Sequence, residues 1–381
     1  NIYKRKFSLN EMEKYDVLGI GNSLLDITLE VDESVLKELG LKKGEMILID
    51  KDKNKYLLEK LKAHSCKTSP GGSCSNTIAV ISILGGKTAF IGKIGNDEIG
   101  RIYEKKTKES GVEGKFVKHP TLATGNAITF ITPDKERSFA VYLGASTTLD
   151  ENDISEDMIS NSNILHLEGY SLEPGLTRQS SLKAIEIAKK NKVKISLDLS
   201  DPSLVKRNLD FLKTIIKNNI DILFANEKEA AAFTGKEPKD ALNEISKSCK
   251  IAVVKLGENG SLIKSNGKTF IIPSFKANLV NTNGAGDMYA AGLLYCISRN
   301  IDLETSRFVF AQSPHFSPKV SKSNLDGAQE PEHAPDFSPR VLEKAGKLAS
   351  FAASLVVSSN STRLEKDLIT VLNDYKSRVG L

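Results

Sequence analysis

The 381-residue chain has few of the residues that staple or anchor a protein. Its four cysteines, Cys66, Cys74, Cys249 and Cys296, lie far apart with no CxxC pair. That excludes a disulfide framework and a cysteine-rich zinc site, and fits reduced thiols in a cytoplasmic protein. No apolar run approaches the roughly 18 residues a membrane span requires. There is no Walker A sequence, which argues against a P-loop nucleotide site, and GIGNSL at 19–24 lacks the third glycine of a dinucleotide fingerprint. The 53 basic residues are interspersed with 48 acidic ones, so the net charge of +5 spreads over a lysine-rich surface. No basic block is long enough to track nucleic acid, so neither nucleic acid nor a membrane is an expected partner. Internal repeats are absent. Residues 1–14 are polar and charged and read as a leader ahead of the first strong pattern, at Tyr15.

What is present points to an α/β protein. Hydrophobic residues make up 40% of the chain, enough for a large core. YDVLGIG at 15–21 reads as a buried strand ending in a glycine turn. Residues 24–50 alternate around a short helix near 35–39, 51–63 is a charged helix, 76–84 an apolar one and 89–94 a strand. Two extended runs, 127–132 and 138–143, form a hairpin pattern around the turn 133–136. From 163 onward strands (164–167, 194–197, 222–224, 252–256) alternate with helices near 177–191, 203–216, 227–234 and 238–247. Such alternation predicts a mainly parallel sheet with helices on both faces. Asn266 and Gly267 predict a two-residue hairpin turn. Residues 313–339 hold five of the twelve prolines, so this stretch reads as a loop-like insertion, with a helix resuming at 341–357.

Two glycine-rich segments carry the chemistry. In LVNTNGAGDMYAAG at 279–292, a strand runs through Thr282 into Gly284, Ala285 and Gly286 and then into a helix at Asp287. Small residues let the backbone approach a phosphate, and the helix N-terminus holds the anion. Phosphoryl transfer needs positioning, charge stabilisation and a carboxylate near the attacking hydroxyl, which Asp287 can supply. Asp287 is also a credible helix N-cap. In PGGSCSNTIAVISILGGKTAFIGKIGNDEIG at 70–100, Gly71 and Gly72 can bring bare backbone to a ligand. Asn76 can bond vicinal hydroxyls there, or simply be a surface polar residue.

These segments resemble the two signatures of the PfkB family, whose members include ribokinase, fructokinase and adenosine kinase, and the match extends over about 15–300. The resemblance implies a ribokinase-like three-layer fold over 15–381, with a small β-sheet lid from about 24–50 and 121–145. It implies ATP as phosphate donor, Mg²⁺, and a small nucleoside or sugar as acceptor. Asn22 and Asp26, in GNSLLD, inherit the binding of acceptor hydroxyls, and Arg137 a place beside the transferred phosphate. Asn226 and Glu229, in NEKE, match a motif that organises Mg²⁺ through water, although the same spacing suits a capping box. Lys255, Gly257 and Gly260, in KLGENG, fall on the nucleotide side with Thr282. His166, on an apolar strand, reads as a core histidine.

Asn281 stands where the family usually has an aspartate, which argues against activation by a monovalent cation. The 313–339 insertion and Ser358 to Ser361 alter the adenine side. Tyr170 falls where adenosine kinases place an aromatic against the purine, so the acceptor is expected to be adenosine or a related nucleoside, with fructose or ribose as runner-up. A non-catalytic nucleotide- or sugar-sensing relative is the alternative from another class. A monomer or a lid-paired homodimer both fit.

Overall fold

Runs such as VLGI, ILHL, ILFA and IAVV put apolar side chains on both faces of a strand, and such strands must be covered on both sides. In the structure, a computed structural model, they form the centre of a nine-stranded sheet. Residues 14–62, 64–278, 280, 282–300, 339–358 and 368–379 are described. The leader through residue 13, Asn281, the proline-rich stretch through residue 338 and residues 359–361 lie outside them.

The first half runs β1 (Tyr15–Ile20), β2 (Leu24–Glu30), α1 (Glu33–Glu38), β3 (Met46–Leu48), α2 (Lys51–Leu61), β4 (Lys67–Gly71) and α3 (Ser73–Ile83). Next come β5 (Thr88–Gly95), α4 (Glu98–Glu109), β6 (Glu113–His119), the hairpin β7 (Gly125–Ile131) and β8 (Arg137–Tyr142), and α5 (Glu156–Ser160). Strands and helices then alternate: β9 (Ser162–Glu168), α6 (Leu176–Lys190), β10 (Lys194–Asp198), α7 (Pro202–Arg207), α8 (Leu209–Asn219), β11 (Ile222–Asn226), α9 (Glu227–Thr234), α10 (Pro238–Ile245) and β12 (Ile251–Lys255). The hairpin β13 (Ser261–Ser265) and β14 (Lys268–Ile272) precedes α11 (Ala285–Arg299), α12 (Pro339–Val357) and α13 (Leu368–Val379). The single helix expected near 203–216 is two, parted at Asn208.

The large sheet has the order β14-β13-β12-β11-β10-β9-β1-β5-β6. It is parallel from β6 to β12 and antiparallel through the terminal hairpin. Alternate residues supply two cores: Val17, Ile164, Ile222 and Val253 pack on one face with residues of α3, α11 and α12. Leu18, Leu165, Leu223 and Val254 pack on the other with residues of α6, α8 and α10. The Asn266–Gly267 turn forms as expected, both residues having positive φ (48° and 76°), the conformation a type I′ hairpin demands.

The smaller sheet has the order β3-β8-β7-β2-β4. On β2 the buried residues Leu25, Ile27 and Leu29 join Leu36, Leu57 and Tyr103 in a third core. The alternate residues Leu24, Asp26 and Thr28 stay only half-buried on the other face. β4 runs into α3 through Gly72, so the small sheet is wired directly to a helix of the large one. In the large sheet, β1 is the strand from which neighbours spread in opposite chain directions, and a crevice at the carboxyl ends of such strands is where parallel sheets bind ligands.

Candidate active site

Five parallel strands deliver their C-terminal ends to one edge, and each ends in or beside a polar residue: Asn22 after β1, Glu168 on β9, Asp198 on β10, Asn226 on β11 and Lys255 on β12. Asp287 enters from α11. It does not cap its helix: Gly284 is the N-cap, in the left-handed region at φ 78°. The carboxylate turns to α3 instead, where Ser73 Oγ donates to Oδ1 at 2.7 Å and Asn76 Nδ2 donates to Oδ2 at 3.0 Å. Thr77 Oγ1 donates to the Asp287 carbonyl at 3.3 Å. Burial raises the pKa of Asp287 to about 7, although the bonds from Ser73 and Asn76 pull the other way. A carboxylate poised near neutrality and fixed by two donors is suited to general-base work. Asn76 is buried and is therefore not a surface polar residue.

Behind the glycine turn lies a cation. A Cβ built on Gly286 would sit 3.0 Å from Lys255 Nζ, so the absence of a side chain leaves the ammonium facing the turn. Lys255 pairs with Asp198 at 2.6 Å, both nearly buried. Burial alone would lower the lysine pKa, but Asp198, Glu229 and Asp287 outweigh it and hold the pKa above its ordinary value. Glu229 is buried and its pKa is raised to about 7, chiefly by burial and then by Asp198. Its two oxygens accept from the Asn226 N–H and Nδ2, both at 2.7 Å, while Asn226 Oδ1 accepts from the Glu229 N–H at 2.8 Å. The capping box is therefore real, and it already engages both Glu229 oxygens. Among the described residues no cluster of three His, Cys, Asp or Glu side chains could hold a metal. This donor set fits Mg²⁺ only as an ion held by phosphates and water, with Glu229 behind the water.

The side of the site that carries Asp26 and Asn22 is built by close backbone contact. Asp26 lies on β2 in register with Ser69 at the middle of β4, and a Cβ on Gly71 would fall 2.3 Å from Asp26 Oδ1. Gly72 has φ 94°, and its Cβ would meet the Asn22 carbonyl at 2.1 Å. The two glycines thus make room for the chain's own Asp26 and Asn22, rather than serving only as bare backbone for a ligand. Asn22 is fixed by Glu168 Oε1, which accepts from its N–H and its Nδ2, both at 2.8 Å. Glu168 Oε2 accepts from the Cys74 N–H at 2.7 Å. Glu168 is 1% exposed, and burial raises its pKa.

Tyr170, in the turn after β9, is 40% exposed at the rim, and burial together with the charges of Asp201, Glu168, Glu229 and Asp287 raises its pKa. Arg137 opens β8 in register with Ile131 and, through it, with Glu30. Asp26 is in register with Ala127 and Val141, so Arg137 lies four residues along the strands from Asp26. Gly260 is required by the Ile272 carbonyl, 2.0 Å from where its Cβ would be, whereas Gly257 (φ 56°) faces open space. Thr282 is exposed ahead of the turn, its carbonyl accepting from the Ala285 N–H at 3.2 Å. His166 is a core residue bonded to Ser196 at 3.0 Å, and burial lowers its pKa to about 4.

Sequence reasoning missed Glu168, Asp198 and Ser73 as site residues. The first two end apolar strands beside the motif residues already singled out, a positional signal available in the sequence. Ser73 gave none, because its partner lies 214 residues away.

The family profile described as "pfkB family carbohydrate kinase" matches residues 40–309. Over 314 residues the chain is 27% identical to a 5-dehydro-2-deoxygluconokinase of Bacillus subtilis (strain 168), covering 79% of this chain and 89% of that one. Among solved structures it is similar to a probable sugar kinase of Rhizobium etli CFN 42, at 27% identity, TM-score 0.77, and 97% and 99% of the two chains. It is also similar to an adenosine kinase of Sinorhizobium meliloti, at 30% identity, TM-score 0.75, and 95% and 99% of the two chains.

Proposed function

The chain belongs to the pfkB family of carbohydrate kinases, and on that premise we propose that it transfers the γ-phosphoryl group of ATP to a primary hydroxyl of a sugar-type polyol, with Asp287 as the base. The observation that carries this reading is the Asp287 carboxylate, held by Ser73 and Asn76 at a pKa of about 7 beside the Gly284–Gly286 turn. Asp26 and Asn22 accept and donate bonds to the acceptor's other hydroxyls and aim the reacting one at Asp287. Asp287 takes the hydroxyl proton as the oxygen attacks phosphorus; the new O–P bond forms, the bond to the bridging oxygen breaks, and ADP leaves. Charge on the equatorial oxygens meets the first N–H groups of α11 and the Lys255 ammonium. Asn226 and Glu229 would hold Mg²⁺ through its water shell, and the ion would supply positive charge to neutralise the phosphates. The small sheet serves as a lid whose open face, bearing Asp26, closes over the acceptor and excludes water.

A sugar acceptor is favoured by the likeness to sugar and sugar-acid kinases. A nucleoside is the second reading, supported by Tyr170 at the rim and by the adenosine kinase likeness. The test is ADP formation across a panel of sugars, sugar acids and nucleosides, for the wild type, Asp287→Asn and Tyr170→Ala. Turnover of a sugar, lowered by about 10²–10⁴ in Asp287→Asn and indifferent to Tyr170→Ala, supports the proposal. Turnover confined to nucleosides and weakened by Tyr170→Ala moves the assignment to the second reading. Undiminished activity in Asp287→Asn removes the base.

A further inference from the structure

The opposite edge of the large sheet carries a second concave feature. The segments entering β10, β11 and β12 line a cleft of about 650 Å³, within the size range of small-ligand sites. It lies one strand length from Asp198, Asn226 and Lys255. Each of those strands has five residues, so the separation is roughly 16 Å at about 3.3 Å per residue. Six lysines line it: Lys189, Lys192, Lys194, Lys217, Lys247 and Lys250.

The charge balance is lopsided. Asp221 is the one carboxylate in the lining, and it is committed: Oδ2 accepts from the Ile195 N–H at 2.9 Å and Oδ1 lies 3.4 Å from Lys250. The lining therefore carries a formal +5, as much as the net charge of the whole chain. Lys247 pairs with Glu244 at 3.0 Å outside the lining, whereas Lys192 and Lys217 have no carboxylate partner among the described residues. Lysines at the C-terminal ends of helices commonly answer the helix dipole, and α6, α8 and α10 all end at this edge. That accounts for only part of the excess: three helix ends supply about −1.5 charges in all, leaving the cleft strongly positive.

We propose that this cleft is a second anion site, separate from the Asp287 site, for a compact, multiply charged phosphate compound. Lysine ammoniums are flexible point charges that gather around a polyphosphate without imposing the planar fork that arginine would. The lining has no aromatic side chain on which a base could stack, which disfavours single-stranded RNA as the occupant.

The test uses tripolyphosphate on the full chain, with lysine acetylation rates followed by mass spectrometry at constant ionic strength. Tripolyphosphate is expected to slow acetylation of Lys192 and Lys217 by about tenfold at saturation and to leave the exposed Lys62 unchanged. The Lys192→Gln/Lys217→Gln variant, whose changes are both on the surface, is expected to lose about tenfold in calorimetric affinity at this site with an unchanged melting temperature. A Lys192→Arg/Lys217→Arg variant keeps the charge and the binding. Protection of Lys255 alone places tripolyphosphate only in the catalytic cradle and overturns the proposal. So does equal protection by sodium chloride of matched ionic strength, or protection by an RNA oligomer but not by tripolyphosphate.

Discussion

Asp287 meets two opposing demands at one carboxyl group: burial favours its acid form, while Ser73 and Asn76 favour the anion. With its pKa near 7, kcat/KM is expected to fall as pH drops below about 7, with Glu229 titrating in the same range. The same shift has a stability consequence of fixed sign. The folded carboxyl holds its proton up to about pH 7 while the unfolded one loses it near its ordinary value of 3.8, so stability from this group declines across that window as pH rises. Asp287→Asn is therefore expected to melt later than wild type at about pH 8, by the equivalent of about 1 kcal/mol, with a smaller gain at about pH 5. Differential scanning calorimetry at the two pH values checks it, and a variant that melts earlier at both contradicts it. Gly71→Ala tests the acceptor side: its new methyl group would fall on the Asp26 carboxylate. An acceptor KM raised about tenfold or more, with ATP KM little changed, is the expected outcome. At this scale the sequence exposed the residues whose chemistry is local. Asp287, Asn22 and Asp26 stand in recognisable motifs, but Ser73 and Asn76, which fix the Asp287 carboxylate, lie more than 200 residues away and no local pattern announces them.

Among elements, the contact of α3 with α11 fixes Asp287, and α12 backs α11 from behind. The α11–α12 approach is close because Gly292 faces Ala349, whose Cα would lie 2.7 Å from a Cβ at position 292. Gly292→Val forces the helices apart at a cost of about 1–3 kcal/mol, and since α11 carries Asp287, kcat is expected to fall with the melting temperature. A loss of stability with full kcat would show that the start of α11 is held by α3 alone. Elements with double-sided apolar runs or a turn signal, such as β1, β11 and the β13–β14 hairpin, were legible in advance. β4, α4 and β6 were not. β4 (KTSPG) is an edge strand that contains Pro70, and β6 (EGKFVKH) is an edge strand with mostly polar residues. Edges tolerate proline and charge, so they lack the pattern that marks a central strand.

Over the whole molecule, three carboxylates, Asp198, Glu229 and Asp287, act on one buried ammonium, Lys255, and a fourth, Glu168, acts on Asp198. With every group ionised the pocket is negative overall, and two of the four carboxyls reach that state only near pH 7. Mg²⁺ with ATP is therefore expected to raise the melting temperature more at about pH 8 than at about pH 6. Thermal shift with and without EDTA reads this directly, and an equal shift at both pH values would show that Asp287 and Glu229 do not sense the ion.

The passage from β4 through Gly72 into α3 has one more consequence. On the proposed function, the phosphoryl machinery belongs to the large sheet and its helices, whereas much of the surface that would meet the acceptor belongs to the small sheet. Mutational drift in that small sheet can change which alcohol is admitted while the machinery stays intact. New acceptor preferences can therefore evolve in this scaffold without reinventing its chemistry.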